Sequence, residues 1–301
     1  MGTPLTPAEI RKAFTHWLVP VRYVPGWEKR SNGGVFSDVI MLMFHHTGDD
    51  APDETTLRLL VNGRSDLRGP LCNFGVGDDG VVDVVAAGPA NHAGGGDPKV
   101  LAAVQRESYS AYPPKTTKHQ GSAGAVGGNS RSYGWEVYYA GPKDPTIDAI
   151  QYRATILSQA AITWALAKKS GDRWTAKSTI GHKEWSDWKP DPKSVDMADA
   201  RRDIQWCLDH GPAAARRWYD TGSTAPATPT PTPTPSQEIT MFMVQVENTD
   251  PVYKSDGFRR IHISRVERDA LLRAGVKITP LKNAEELAAF GPEEAAATTQ
   301  A

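Results

Sequence analysis

The chain has 301 residues, 39% of them hydrophobic and 23% charged, an ordinary globular composition with length for one large domain and a smaller one. Its 34 basic and 35 acidic residues leave a formal net charge of -1, which excludes a strong overall field toward nucleic acid or an anionic membrane. No apolar run reaches the ~18–20 residues of a membrane span, and MGTPLTPAEIRKAF lacks a signal pattern, so a soluble chain made in the cytoplasm is expected.

In chain order, residues 7–14 predict a short helix, with Thr6 as N-cap and Glu9 three positions on. Residues 38–44 form the best candidate for a buried strand, and His45 and His46 follow it directly. Residues 53–61 predict a helix capped by Asp53 and stopped by Gly63. In LCNFGVGDDGVVDVV, Asp79-Gly80 separates two apolar stretches and predicts a hairpin. Residues 94–131, rich in Gly, Ser, Pro and Lys, predict a long loop, and residues 132–141 a further strand. An apolar stripe at 147, 150, 154, 157, 161 and 165 predicts a helix over 147–169, stopped by Gly171. A last helix is expected over 197–208. Strands interspersed with helices predict an α/β unit, a mixed central sheet flanked by helices.

Residues 221–237, TGSTAPATPTPTPTPSQ, break this pattern, because alternating proline removes backbone donors and favours extended polyproline backbone. The expected organisation is a domain over 1–220, a linker over 221–237 spanning about 40–50 Å, and a small module over 238–301. Alternation around Asp256-Gly257 predicts short strands with a hairpin there. Ser264 and Glu267 predict a helix ending near Gly275, and the chain from Gly291 is expected to fray. The module is thus expected to be β-rich with one helix. Cys72 and Cys207 are expected to be unpaired thiols.

Four histidines, His45, His46, His92 and His182, are candidates for a chemical role rather than a structural one. Successive strand residues point to opposite faces, so only one of His45 and His46 can enter a given site. Far along the chain, GHKEWSDWKPDP supplies His182 and, nine residues later, Asp191 between two prolines. Two imidazoles and a carboxylate leave a fourth tetrahedral position open, the arrangement of a catalytic zinc.

The fragments His45-His46-Thr47, Asn73-Phe74 with the Asp79-Gly80 turn, and Asn91-His92-Ala93-Gly94 occur here in order. Gly134-Trp135-Glu136, Gly181-His182-Lys183-Glu184-Trp185 and Lys189-Pro190-Asp191-Pro192 complete the series. Over residues 36–208 this pattern resembles the type-2 N-acetylmuramoyl-L-alanine amidases, which share their fold with the peptidoglycan recognition proteins. The resemblance implies zinc held by His45, His182 and Asp191, the aspartate standing where many members have cysteine. It implies Lys189 as oxyanion partner and Glu136 as general base. Cys72 stands where the recognition proteins often carry tyrosine, which throws more weight on Glu136. Asn73, His92 and Trp185 are expected to touch substrate, with Trp135 and Trp188 as further candidates for stacking. His46 is expected to support the site from the second layer of contacts.

The activity implied is hydrolysis of the amide joining N-acetylmuramic acid to L-alanine in peptidoglycan. With the linker and terminal module, the chain resembles a bacteriophage endolysin, a monomer released from the host cytoplasm to act on the cell wall. The terminal module is expected to bind a cell-wall polymer; nucleic acid and stable membrane insertion are not expected. A peptidoglycan-binding protein without activity, and a peptidase cutting the stem peptide with the same zinc site, stay open.

Overall fold

A computed structural model describes residues 2–48, 51–140, 147–171, 174–222, 242–246, 252–255, 260–263, 278–281 and 293–294. The chain divides into two compact units, Met1–Pro226 and Ala227–Ala301. No helix among the described residues is long and apolar enough to cross a membrane.

The first unit opens with α1 (Pro7–His16), β1 (Val21–Tyr23), β2 (Met41–His46) and α2 (Asp53–Asn62). The short pair β3 (Gly63–Arg64) and β4 (Leu67–Arg68) leads to β5 (Phe74–Val76) and β6 (Val82–Val84). Then come β7 (Gly95–Gly96), α3 (Pro98–Gln105), β8 (Val126–Gly127) and β9 (Ser132–Val137). The unit ends with α4 (Ala149–Ser170), β10 (Thr179–Gly181), α5 (His182–Trp185) and α6 (Met197–Thr221). Six strands form one sheet in the order β1-β6-β5-β9-β2-β10. Only the β5/β6 hairpin is antiparallel within it, so the sheet is mixed, as its element pattern predicts.

Local signals account for several elements. At α1, Thr6 Oγ1 accepts from the Glu9 N–H at 3.3 Å while Glu9 Oε2 accepts from the Thr6 N–H at 2.7 Å. Between β5 and β6, Asp79 Oδ1 accepts from the Val81 N–H at 2.9 Å and Gly80 takes φ +72°. A Cβ on Gly80 would also approach Ile150 to 2.5 Å, so packing as well as the turn demands glycine.

Alternation along β2 divides two cores. Leu42 and Phe44 face α1, α4 and α6 together with Trp135 and Val137 of β9. Met41 and Met43 face the other way, against Ile180, Trp185, and Val100 and Val104 of α3. Each fully buried side chain of this size contributes about 1.5–3 kcal/mol, so a slip of β2 by one residue would forfeit several such terms on both faces.

The elements differ most from expectation in five places. β2 begins at Met41, not 38, because Val39 makes a bridge with Gly2, at 2.8 and 2.9 Å. Asp53 does not cap α2: Pro52 holds the cap position, and Asp53 Oδ2 accepts from the Asp78 N–H at 3.0 Å. Residues 94–131 are not one loop, since α3 starts there, capped by Asp97 and opened by Pro98. β9 ends at Val137, not 141. Finally, α6 continues past 208 to Thr221, bending at Gly211 (φ 77°) before Pro212.

In the second unit, β11 (Phe242–Val246), β12 (Val252–Ser255), β13 (Arg260–Ile263), β14 (Ile278–Leu281) and β15 (Glu293–Glu294) form a sheet ordered β14-β11-β12-β13-β15. The inner pairs are antiparallel and the outer two parallel. Glu293 and Glu294 therefore pair with β13 inside the segment expected to fray. The linker beyond Gly222, the Asp256-Gly257 turn, the helix over 264–275 and the rest of the tail lie outside the described residues.

Candidate functional site

The site lies where three parallel strands end. His45 is the fifth residue of β2 and shares the face of Met41 and Met43. On β9, Glu136 is the register partner of His45, so the two side chains leave neighbouring strands on the same face. On the other side of β2, β10 pairs Gly181 with Phe44, and His182 begins α5 one residue later.

Asp191 reaches the same place through a loop that Lys183 ties down. The Lys183 N–H donates to Asp191 O at 2.7 Å, and its Nζ donates to Pro192 O at 2.9 Å and Val195 O at 2.7 Å. Beneath, Arg201 grips Glu184 with two bonds of 2.9 Å and also donates to Thr179 O and Ala111 O. Glu184 Oε2 in turn accepts from the Gly181 N–H at 3.0 Å. The helix that starts with His182 is thereby fixed to β10 and α6.

Three donor atoms converge. His45 Nδ1 lies 2.9 Å from His182 Nδ1 and 3.0 Å from Asp191 Oδ2, and His182 Nδ1 lies 3.1 Å from the same oxygen. Hydrogen bonds cannot satisfy all three edges, because each ring nitrogen carries at most one proton and the carboxylate none. If both rings donate to Asp191, two N–H groups face each other. A cation accepting lone pairs from all three resolves the conflict, and bonds of about 2.0–2.2 Å in a tetrahedral set separate ligand atoms by about 3.3–3.6 Å. The donor set fits zinc after adjustments of a few tenths of an ångström. All three residues are buried.

Electrostatics keep His45 and Asp191 in ligating form. Burial pushes His45 down to about 4, aided by His182 and opposed by Asp191. Burial by itself would raise Asp191, but hydrogen bonds from His182 and His45 hold it well below the usual carboxylate range. Neutral imidazole and ionised carboxylate are the forms that bind a metal. The other ring nitrogen, His45 Nε2, is 3.0 Å from His92 Nδ1, and His92 Nε2 is 3.4 Å from Ser132 O. His92 is itself pushed well below its ordinary value by burial and by His45 and His182. It thus orients the ligand ring, a contact that resemblance alone did not specify. Gly134 makes room for it, since a Cβ there would come within 2.5 Å of His92 Nδ1.

A cleft of about 190 Å³ opens over these residues, lined also by Glu136, Lys189 and Arg64 and walled by Leu59, Leu60, Leu67 and Leu71. The leucine wall, from α2 to the start of β5, escapes the sequence reading because nothing local marks it as facing a site. His46 borders the cleft as well, but its ring lies 4.6 Å from that of Tyr139 and makes no hydrogen bond among the described residues. Its support is packing.

Two expected substrate contacts are corrected. Asn73 is fully buried: its Nδ2 donates to Ala86 O at 3.0 Å and Gly88 O at 2.8 Å, and its Oδ1 accepts from the Gly134 N–H at 2.9 Å. It clamps β5, β9 and the strand-end loop rather than a ligand. Trp185 is also fully buried, its ring against Gly96, where a Cβ would sit 2.2 Å away. Trp135 is likewise core, donating to Ser158 Oγ at 2.9 Å. Cys72 packs with Leu60, Val85 and Tyr138, and burial, then Glu136 and Asp83, push its thiol well up, which disfavours the thiolate.

Residues 36–194 match the family model described as N-acetylmuramoyl-L-alanine amidase. No curated protein matches the chain. Among solved structures, wild-type Drosophila PGRP-LB is similar at 16% identity and TM-score 0.36, with 60% of this chain and 92% of that chain covered. A point mutant of Drosophila PGRP-LB in complex with tracheal cytotoxin gives 15% identity, TM-score 0.36, and coverage of 60% and 91%. N-acetylmuramoyl-L-alanine amidase LysC from Clostridium intestinale URNW gives 13% identity, TM-score 0.35, and coverage of 61% and 96%.

Proposed function

The chain belongs to the N-acetylmuramoyl-L-alanine amidase family, and from that premise we propose that it is a zinc-dependent lysin of bacterial peptidoglycan, with His45, His182 and Asp191 as ligands. The activity is amidase activity on peptidoglycan. The observation that carries the finer reading is the donor triangle with Glu136 in register beside it.

His45, His182 and Asp191 would hold a zinc ion, which would supply Lewis acidity toward an amide carbonyl and lower the pKa of a water beside it to about 7. The chain's own residues do the rest. Glu136 takes the proton of the attacking water and hands it to the departing amide nitrogen, which otherwise leaves poorly. Lys189, exposed at the cleft mouth, brings its ammonium toward the oxygen where negative charge develops. His92 fixes the His45 ring, so that Nδ1 keeps its lone pair on the site side.

The Pro/Thr segment and the second unit support an endolysin-like role at the host wall, made in the cytoplasm and acting as a monomer after release. In this reading the second unit holds a wall polymer and raises the local concentration of the first at its substrate. Mass spectrometry of wall digested by the purified chain tests the bond assigned: free stem peptides with an unblocked L-alanine are expected. Cuts confined to bonds within the peptide would overturn it.

A further inference from the structure

The turn between His182 and Asp191 carries an aromatic ring that the metal chemistry leaves unused. Trp188 is 68% exposed, whereas Trp135 and Trp185 are fully buried. One of its faces is covered, for the His119 ring stacks on it at 3.8 Å between centroids and 9° between planes. A ring shielded on one face and still two-thirds exposed has its other face open. Its backing is well held: His119 Nδ1 is 2.8 Å from Asp187 Oδ1, the Asp187 N–H donates to Lys118 O at 3.1 Å, and Thr116 Oγ1 donates to Trp185 O at 3.0 Å. Four contacts thus join the 116–119 segment to the 185–188 segment. The next residue, Lys189, lines the cleft.

Leaving so much aromatic surface in water forgoes the gain of burying it, and stacking His119 behind it fixes the ring for a ligand to meet. We propose that Trp188 is a saccharide-stacking platform at the cleft rim, receiving a pyranose ring of the glycan strand. This rests on the amidase reading, in which the substrate has a sugar on one side of the scissile amide and a peptide on the other. The leucine wall offers aliphatic surface to the peptide side. The turn offers a flat π-face framed by the polar groups of His119, Asp187 and Lys189. A pyranose has the matching character, a C–H face to lie on the ring and hydroxyl edges to meet the polar frame.

The test uses the full chain with peptide-free tetrasaccharide fragments of the glycan strand as competitors of wall hydrolysis. Trp188→Ala is expected to raise their inhibition constant about tenfold, and Trp188→Phe to stay within about threefold of the parent. Zinc content and melting temperature, measured alongside, show that both variants are folded. Equal inhibition of the parent and Trp188→Ala overturns the platform and leaves the amidase intact. Failure of the parent chain to release stem peptides is a separate result, and overturns the amidase reading itself.

Discussion

His45 and Glu136 are direct register partners on adjacent parallel strands, one a member of the donor triangle and the other a carboxylate on the same face. In the proposed mechanism that relationship separates metal holding from proton transfer. Glu136→Gln keeps the side-chain size and removes the base, so zinc content should stay at one per chain. Turnover of wall peptidoglycan should fall about 10²- to 10⁴-fold, the usual worth of a positioned acid–base group. Metal analysis and peptide-release assays on the same preparation check both halves. Turnover within a few fold of the parent would remove Glu136 from the mechanism.

The two neighbouring histidines should behave differently. His45→Ala removes one of three donors and should lose stoichiometric zinc, whereas His46→Ala removes a ring that packs on Tyr139 and should keep it. Loss of zinc from both variants alike would mean that the triangle is misassigned. Because His46 is buried, its variant should also be less stable, by about the few kcal/mol that truncating a buried side chain costs.

Cys72 and Cys207 lie in different cores, on opposite faces of the sheet, and both are buried. Burial pushes Cys207 up to about 12 and Cys72 well above its ordinary value, so neither offers thiolate near neutral pH. A thiol reagent should therefore find none reactive in the folded chain and two in denaturant. Fast labelling of one thiol under native conditions would show that its core opens readily.

The parts of this arrangement that can be read from sequence are those with local causes. The capping box at Thr6 and Glu9, the Asp79-Gly80 turn and the apolar stripe of α4 each act within a few residues. α3 carries a local signal too, Asp97 then Pro98 before an apolar run, but the Gly- and Ser-rich surroundings outweigh it. The phase of β2 is different. Alternation says that His45 and His46 part company, while packing of Met41 and Met43 against α3 and Trp185 decides which one enters the site. Asn73 and Trp185 teach the same point from the motif side. A residue can recur beside a site because it holds the backbone there, and only burial tells that from contact with substrate.

Lys183 belongs to that positioning class and gives the most discriminating prediction. Its backbone and side chain together make three hydrogen bonds to the loop over 191–195, which delivers Asp191 to the triangle. Lys183→Met keeps the stem and removes two of these bonds, so the loop should be freed while α5 stays held by Glu184 and Arg201. Outer partners of metal ligands are typically worth 10- to 100-fold in affinity, and a zinc dissociation constant raised by about that factor is expected in chelator competition. Glu184→Gln offers the contrast. It breaks a buried ion pair at a cost of about 3–5 kcal/mol, so it should lower the melting temperature of the apo form much more than Lys183→Met does. If Lys183→Met binds zinc as tightly as the parent, Asp191 is held by its own flanking prolines and the lysine only packs.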